Sequence, residues 1–146
     1  MIFLDANILV YCIDPAGGPR RAAATDIVRR ASGGASIAEQ VLFEFTHVAV
    51  RKLGMPRDQA VATVQSLMQN FKIALPPHDI VDKALDMMLT YKISIWDARL
   101  LAVCSTGGAD TLLSEDLQDG GIYGSITVVN PFEASNGAIL SRILPP

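Results

Sequence analysis

The chain has 146 residues, of which 50% are apolar, 18% charged and 6% aromatic, and its formal net charge at pH 7 is −3. This length predicts one domain, and empirical scaling predicts a folded surface of roughly 7,200 Å². The apolar fraction and the presence of only two cysteines exclude a disordered chain, a fibrous repeat and a disulfide scaffold. Because the net charge is negative, a polyanion has to bind locally, through cations.

The chain is expected to be a cytoplasmic protein. Its apolar start has no basic region and is interrupted by Asp5 and Asn7, which argues against an export signal. No apolar stretch reaches the roughly 18 residues that span a bilayer. Cys12 and Cys104 share no metal-binding spacing and lie in apolar runs, so they are expected to be reduced core residues, as a reducing compartment allows.

Apolar residues recur at helical spacing in five segments of the chain. With their starting residues, these predicted helices cover residues 20–31, 36–53, 55–68, 79–91 and 94–105. Two of them begin with residues that resemble capping boxes, Ser36 with Glu39 and Ser94 with Asp97. The sequence therefore predicts five helices.

Short apolar runs predict the strands between these helices. They are Ile2–Leu4 continued by Ile8–Tyr11, then Lys72–Leu75, Thr111–Ser114 and Ile126–Val129. Strands that alternate with helices pair in parallel through right-handed crossovers. The sequence therefore predicts a three-layer α/β sandwich with a central parallel sheet.

Three acids are predicted near the carboxyl ends of the strands, where open parallel sheets bind ligands. Asp5 closes the first strand's apolar start, Asp116 follows a later strand, and Asp97 lies in the first turn of its helix. A fourth acid, Glu44, lies on the flank of the apolar arc of its helix, where an unpaired carboxylate is costly to desolvate. Four carboxylates at one edge repel unless protons or cations hold them, and oxygen ligands suit Mg²⁺ or Mn²⁺. This predicts a site of one or two ions for phosphodiester hydrolysis.

Four further residues are candidates around these acids. Asn7 shares a face with Asp5 if the first strand continues, and Ser114 can donate a hydrogen bond to a ligating carboxylate. Asp119 is a candidate fifth acid, and Arg99 is the candidate for contact with a substrate phosphate. The few aromatic residues give no pattern for base stacking. Packing roles are expected for Tyr11, Phe43 and Tyr123, and Trp96 is expected to pack beside the site.

Each acid also has a purely structural interpretation. Asp97 can be the capping partner of Ser94 and a complement to the helix dipole. Turn formation accounts equally well for an isolated aspartate after a strand, and an acid on a helix flank can reach solvent or pair with a neighbouring arginine. Only the joint placement of the four acids at one edge favours a metal site over these interpretations.

The runs that carry these residues resemble the PIN-domain ribonucleases, and most of all the toxins of VapBC-type toxin–antitoxin systems. The matching runs, in the expected order, are Phe3–Tyr11, Gln40–Leu53, Ile95–Ala102, Leu113–Gly120 and Val129–Phe132. The resemblance implies strand order 3-2-1-4-5 and a PIN-like nuclease domain over residues 1–132. Residues 133–146 lie outside it and form a C-terminal tail of unassigned role.

The resemblance also implies site residues, an activity and partners. The implied acidic site consists of Asp5, Glu44, Asp97 and Asp116, whereas Asp119 falls where the family varies. The implied activity is endoribonuclease cleavage of a structured RNA, often a tRNA or a ribosomal RNA. The implied partners are a small antitoxin that wraps the toxin, and a second copy of the chain in a homodimer.

Two other functions are compatible with acids at the edge of an α/β sheet. A phosphorelay receiver domain also gathers acids around Mg²⁺, but it needs a late lysine, and no lysine follows Lys92. A non-catalytic acidic binding module would use its carboxylates only to cap helices. Divalent cations separate this alternative from a nuclease, because an ion that binds the native site stabilises the fold.

Overall fold

The computed structural model describes all 146 residues. Its strands are β1 (Ile2–Leu4), β2 (Ser36–Ala38), β3 (Lys72–Ala74), β4 (Thr111–Leu113), β5 (Ile122–Tyr123) and β6 (Ile126–Val129). Its helices are α1 (Ala6–Ile13), α2 (Gly18–Ala31), α3 (Glu39–Arg51), α4 (Arg57–Asn70), α5 (Ile80–Tyr91), α6 (Ile95–Thr106) and α7 (Gly137–Ile143), the last preceded by a 3₁₀ turn. None of the helices is both long and apolar enough to cross a membrane.

The strands form one sheet in the order β3-β2-β1-β4-β6-β5. All neighbouring strands are parallel except β5 and β6, which form a hairpin. The predicted order 3-2-1-4-5 is confirmed for the five parallel strands. The short edge strand β5 was not predicted; it turns into β6 through Gly124, whose φ of 63° favours glycine.

The direction of the crossovers explains how the helices are distributed over the sheet. The chain moves from β1 to β2 to β3 through α1–α4, then returns past β1 to β4 through α5 and α6. Right-handed crossovers in opposite directions place their helices on opposite faces of a sheet. The contacts agree with this, since α5 packs mainly on α6 whereas α1 packs on α2 and α3. The α/β fold with helices on both faces is therefore confirmed.

The prediction that Ile8–Tyr11 continues the first strand is wrong. The strand ends at Leu4, and these residues lie within helix α1, whose N-cap is Asp5. A continuous apolar run does not by itself separate a buried strand from a buried helix. Here the aspartate decides, because its side chain accepts a hydrogen bond from the amide of Ala6 and starts the helix.

The predicted capping box at Ser36 is also wrong. Ser36 lies in β2, where it is buried and pairs with Phe3 of β1 and Lys72 of β3. The interior position of this strand gives its backbone hydrogen-bond partners on both sides, so the serine does not act as a cap. The second predicted cap is confirmed, since the Ser94 hydroxyl accepts a hydrogen bond from the amide of Asp97 at 3.0 Å.

The core lies between the sheet and the helices, and its centre consists of strand residues such as Leu4, Ile37 and Leu113, which are fully buried. The accessible surface is 7775 Å², close to the value expected from chain length. Both cysteines are free thiols; Cys104 is buried and Cys12 is half-buried. The strands of this core end together at one edge of the sheet, where the acids lie.

The tail packs against the rest of the chain. Leu140 and Leu144 are buried in the core cluster. The guanidinium of Arg30 on α2 donates hydrogen bonds to three tail carbonyls, those of Leu140, Leu144 and Pro145, at 2.7–3.3 Å. The division of the chain at residue 132 stays a prediction.

Candidate active site

Asp5 occupies the point at which β1 gives way to α1. Leu4 pairs with Leu113, so the parallel register brings Asp5 beside Ser114, the residue after β4. The Ser114 hydroxyl donates to Asp5 Oδ2 at 2.6 Å, and the Ala6 amide donates to Oδ1 at 2.6 Å. Only 6% of Asp5 is exposed. The pairing of two neighbouring strands therefore fixes this carboxylate in a buried position.

Asn7 joins Asp5 to a second acid. Its Nδ2 donates to Asp5 Oδ2 at 3.2 Å and to Asp116 Oδ2 at 3.1 Å. The amide of Asp116 in turn donates to the Ser114 hydroxyl at 3.1 Å. The prediction that Asn7 and Ser114 lie at the acids agrees with these contacts, although Asn7 reaches them from the first turn of a helix rather than from a strand.

Glu44 approaches this pair from α3. It lines a groove of about 530 Å³ together with Asn7 and Asp116, and the remaining lining consists of His47 and mostly apolar side chains of α1 and α3. The Gln40 Nε2 donates to Glu44 Oε1 at 2.6 Å. The structure therefore brings Asp5, Asp116 and Glu44 to one edge of the sheet.

The fourth predicted acid, Asp97, lies in the first turn of α6. Its carboxylate accepts a hydrogen bond from the Ser94 hydroxyl at 2.7 Å, and no hydrogen bond links it to the other three acids. The carbonyl of the preceding residue, Trp96, accepts from Gln40 at 3.2 Å, and that amide also holds Glu44. Asp97 and Ser94 thus make the hydrogen bonds of a helix-capping pair. The role of Asp97 as a metal ligand stays a prediction.

The electrostatics of the site centre on Asp5. Burial raises the pKa of Asp5 from 3.8 to about 6, the hydrogen bonds from Ser114 and Ala6 lower it in part, and the negative charges of Asp116 and Glu44 raise it further. A bound cation would oppose both the burial and the repulsion. The pocket therefore favours either a proton or a cation at Asp5.

Two other predicted residues are already engaged in contacts. Arg99 donates to Glu39 Oε1 at 2.6 Å and to Gln40 Oε1 at 2.7 Å, so its guanidinium is held on α3. Asp119 Oδ1 accepts from the amide of Asn130 and from Asn136 Nδ2 at 2.8 and 2.9 Å, which ties its loop to the tail. Phosphate contact by Arg99 and metal binding by Asp119 stay predictions.

The packing role predicted for Phe43 is wrong, and Trp96 lies beside Glu44 but is mostly exposed rather than packed. Phe43 is 72% exposed and Trp96 is 66% exposed, and both line a second groove beside Glu44. Phe43 lies outside the apolar arc of α3 that buries Val41 and Phe45, so helical periodicity contained a signal for its exposure. Tyr123 is buried as expected, and Tyr11 packs edge-on against Phe132.

Two sets of site neighbours were not predicted. One is Gln40, described above. The other is a network in which Tyr11 donates to Glu115 and accepts from Arg20 Nη1 at 3.0 Å, while Arg20 also pairs with Glu115 at 3.4 Å. This network holds the loop that carries Asp116, and no short motif in the sequence indicates it, because its members are 9 to 104 residues apart.

The donors at the site fit a hard divalent cation. They are carboxylate oxygens. Asn7, which contacts two of these carboxylates through Nδ2, also has a buried Oδ1 without a hydrogen-bond partner. No three acidic, histidine or cysteine side chains are grouped so that they enclose an ion by themselves. Mg²⁺ commonly keeps several waters and binds through one or two carboxylates, which matches the pair of acids that Asn7 connects.

Three solved structures with the same fold illustrate what the chain is similar to. A toxin–antitoxin complex from Klebsiella pneumoniae contains a chain with 20% identity and a TM-score of 0.69, covering 91% of this chain and 99% of that one. VapC20 of Mycobacterium tuberculosis, a Sarcin-Ricin loop cleaving toxin, has 17% identity, a TM-score of 0.67 and coverages of 87% and 99%. The structure of VapBC2 from Rickettsia felis, bound to a DNA fragment from their promoter, has 16% identity and a TM-score of 0.62. The match covers 88% of this chain and 97% of that one. At these identities the likeness is one of fold.

The sequence itself identifies the family. No curated protein sequence matches the chain. The sequence profile of the PIN domain, however, matches residues 2–118, which is most of the chain and includes all four predicted acids. The chain therefore belongs to the PIN domain family.

Proposed function

We propose that the chain is a divalent-metal-dependent endoribonuclease that acts as the toxin of a toxin–antitoxin pair. The observation that carries the proposal is the bridged pair of acids, Asp5 and Asp116, held by Asn7 at the carboxyl edge of the parallel sheet. Glu44 lines the groove that opens at this pair. Membership of the PIN domain family supports a hydrolytic role for such a site.

The proposed metal ligands are Asp5, Glu44, Asp97 and Asp116, which would hold one or two Mg²⁺ or Mn²⁺ ions. A divalent ion at such a site supplies a nucleophile from water at neutral pH and charge that stabilises the leaving oxygen of a phosphodiester. Within the chain, Ser114 and Ala6 orient the Asp5 carboxylate by hydrogen bonds. Ordered ligands of this kind bind an ion without first losing side-chain freedom.

RNA is the proposed substrate, and the proposed targets within this class are transfer RNA and ribosomal RNA. The support is the fold shared with the Sarcin-Ricin loop cleaving toxin of M. tuberculosis. The acids at the edge of the sheet repel a polyanion in the absence of a cation, so substrate affinity is expected to depend on the divalent ion as well.

The proposed protein partners are a cognate antitoxin and a second copy of the chain. Toxin–antitoxin complexes among the structures of the same fold support the antitoxin. Val81, Leu85 and Leu89 form an exposed apolar stripe along α5, a surface suited to another protein chain. We also place the activity in the cytoplasm, in agreement with two free thiols.

Incubation of the purified protein with total RNA, with Mn²⁺ or with EDTA, tests the proposal. Cleavage with Mn²⁺, its loss in EDTA, and 5′-phosphate ends mapped at discrete positions are expected. The Asp116→Asn variant removes one of the two bridged acids and is the matched inactive protein. Undiminished cleavage in EDTA, or equal cleavage by this variant, would contradict the assignment of a metal site.

A further inference from the structure

Gln40 is a buried polar residue one helical turn before Glu44. Only 6% of it is exposed. Its Nε2 donates to Glu44 Oε1 at 2.6 Å and to the carbonyl oxygen of Trp96 at 3.2 Å, while its Oε1 accepts from Arg99 Nη1 at 2.7 Å. Both ends of the amide therefore have partners inside the protein.

The partners also fix which end of the amide faces Glu44. Arg99 has only donors, so it requires the oxygen of Gln40, whereas the Glu44 carboxylate and the Trp96 carbonyl are acceptors and require the nitrogen. Arg99 is itself fixed, because Glu39 accepts from both of its terminal nitrogens at 2.6 and 3.2 Å. A row of contacts thus runs from an ion pair at the rim of the second groove to the candidate metal ligand.

We propose that Gln40 is a positioning residue that presents Glu44 to the divalent ion. It engages Oε1 of Glu44, which leaves Oε2 free of any side-chain donor. Through Trp96 it also ties the first turn of α6, which carries Asp97, to the helix that carries Glu44. Gln40 therefore fixes the separation of two proposed ligands before an ion binds. This inference rests on the proposed function of the site.

A long glutamate side chain on a helix flank would otherwise sample several rotamers. With the amide in place, that freedom is lost on folding rather than on binding of the ion. Loss of a hydrogen bond that orients a metal ligand commonly weakens metal affinity or activity by 10- to 100-fold. The same range is expected when Gln40 no longer donates to Glu44.

Titration calorimetry with Mn²⁺ at pH 7.5 on the full chain tests the proposal without any need for catalysis. Gln40→Met, which keeps the length but not the amide, is expected to bind Mn²⁺ about 10- to 100-fold more weakly. Gln40→Asn keeps a polar group in the pocket but shortens its reach, and a loss of the same order is expected. Gln65→Met on the exposed side of α4 is the matched control and is expected to bind as the parent does.

A double-mutant cycle shows whether the effect passes through Glu44. In a Glu44→Gln background, Gln40→Met is expected to change Mn²⁺ affinity by less than about threefold, because the residue it positions is no longer a ligand. An equal loss in both backgrounds would mean a general structural role and would overturn the proposal. Parental Mn²⁺ affinity in Gln40→Met would also overturn the proposal. If Gln40→Met does not fold, parental affinity in a folded Gln40→Asn protein would overturn it instead.

RNA cleavage by the same proteins distinguishes failure of the positioning role of Gln40 from failure of the proposed function. If the parent cleaves RNA in a Mn²⁺-dependent way and Gln40→Met has parental affinity and rate, only the positioning role is wrong. If the parent neither binds Mn²⁺ nor cleaves RNA, the proposed function fails and the inference fails with it. Supporting results are weaker cleavage by Gln40→Met at low Mn²⁺ and recovery of its rate at high Mn²⁺.

Discussion

Replacement of Asp5 by asparagine is expected to remove most of one pH-dependent component of stability. The pKa of Asp5 is raised from 3.8 to about 6, mainly by burial. Protonation of Asp5 therefore favours the folded state. Its contribution is complete below about pH 3.8 and is lost as the pH rises through about 6. Asparagine stays neutral throughout and caps helices about as well as aspartate.

The magnitude follows from the size of the pKa difference. A rise from 3.8 to about 6 corresponds to about 3 kcal/mol in full, because one pKa unit is worth about 1.4 kcal/mol. About 2.5 kcal/mol of this falls between pH 4 and pH 7.5. The parent is therefore expected to lose about 2.5 kcal/mol more unfolding free energy across this interval than Asp5→Asn does.

Urea unfolding followed by circular dichroism, in EDTA at both pH values, measures the difference. Any pH-independent cost of the substitution cancels, because each protein is compared with itself. The control is Asp82→Asn, which replaces an exposed acid on α5 and is expected to keep the parental pH dependence. If Asp5→Asn and the parent lose the same free energy between pH 4 and pH 7.5, the burial and repulsion argument for Asp5 is wrong.

Three further predictions concern other parts of the structure. Saturating Mn²⁺, at a concentration about 100 times its Kd, should stabilise the parent by about 2.7 kcal/mol and Asp116→Asn by much less; equal thermal shifts would contradict the site. Ser114→Ala removes the hydroxyl that donates to Asp5 and accepts from the amide of Asp116. We expect the free energy of unfolding in urea to fall by about 1–3 kcal/mol and Mn²⁺ to bind more weakly, and unchanged values would refute this. Arg30→Met should cost about 2 kcal/mol through lost hydrogen bonds to the tail without changing Mn²⁺ affinity, and altered affinity would show that the tail acts on the site.

The order of the parallel strands was predicted from the family resemblance, whereas the local errors have a common physical cause. Ile8–Tyr11 lie in the eight-residue helix α1 and Ser36 in the three-residue strand β2, and over such short lengths an apolar run does not separate strand from helix. Hydrogen bonding to two neighbouring strands decides the structure at Ser36, and the Asp5 cap decides it at Ile8–Tyr11. Neither contact can be read from the apolar pattern. The short hairpin strand β5 was missed for the same reason.

Two of the predicted acids could be placed from the sequence because each follows an apolar strand. Asp5 comes directly after β1 and Asp116 is the third residue after β4, and the parallel register brings these two strand ends together. Gln40 was not predictable in this way, since its importance depends on Arg99 and Trp96, which are 59 and 56 residues away. The sequence singled out Arg99 for its charge. In the fold that charge is paired with Glu39.

The anchoring of the last residues has a practical consequence for work on this protein. Leu144 is buried and the Pro145 carbonyl bonds to Arg30, while Asn136 holds Asp119, three positions beyond Asp116. A purification tag fused directly to the carboxyl terminus would crowd this anchor, and truncation at residue 132 would remove it. An affinity tag at the carboxyl end therefore needs a flexible linker before it. A tag at the amino end removes the free amino group of Met1 that pairs with Asp110, so the stability of such a fusion has to be compared with that of the untagged chain.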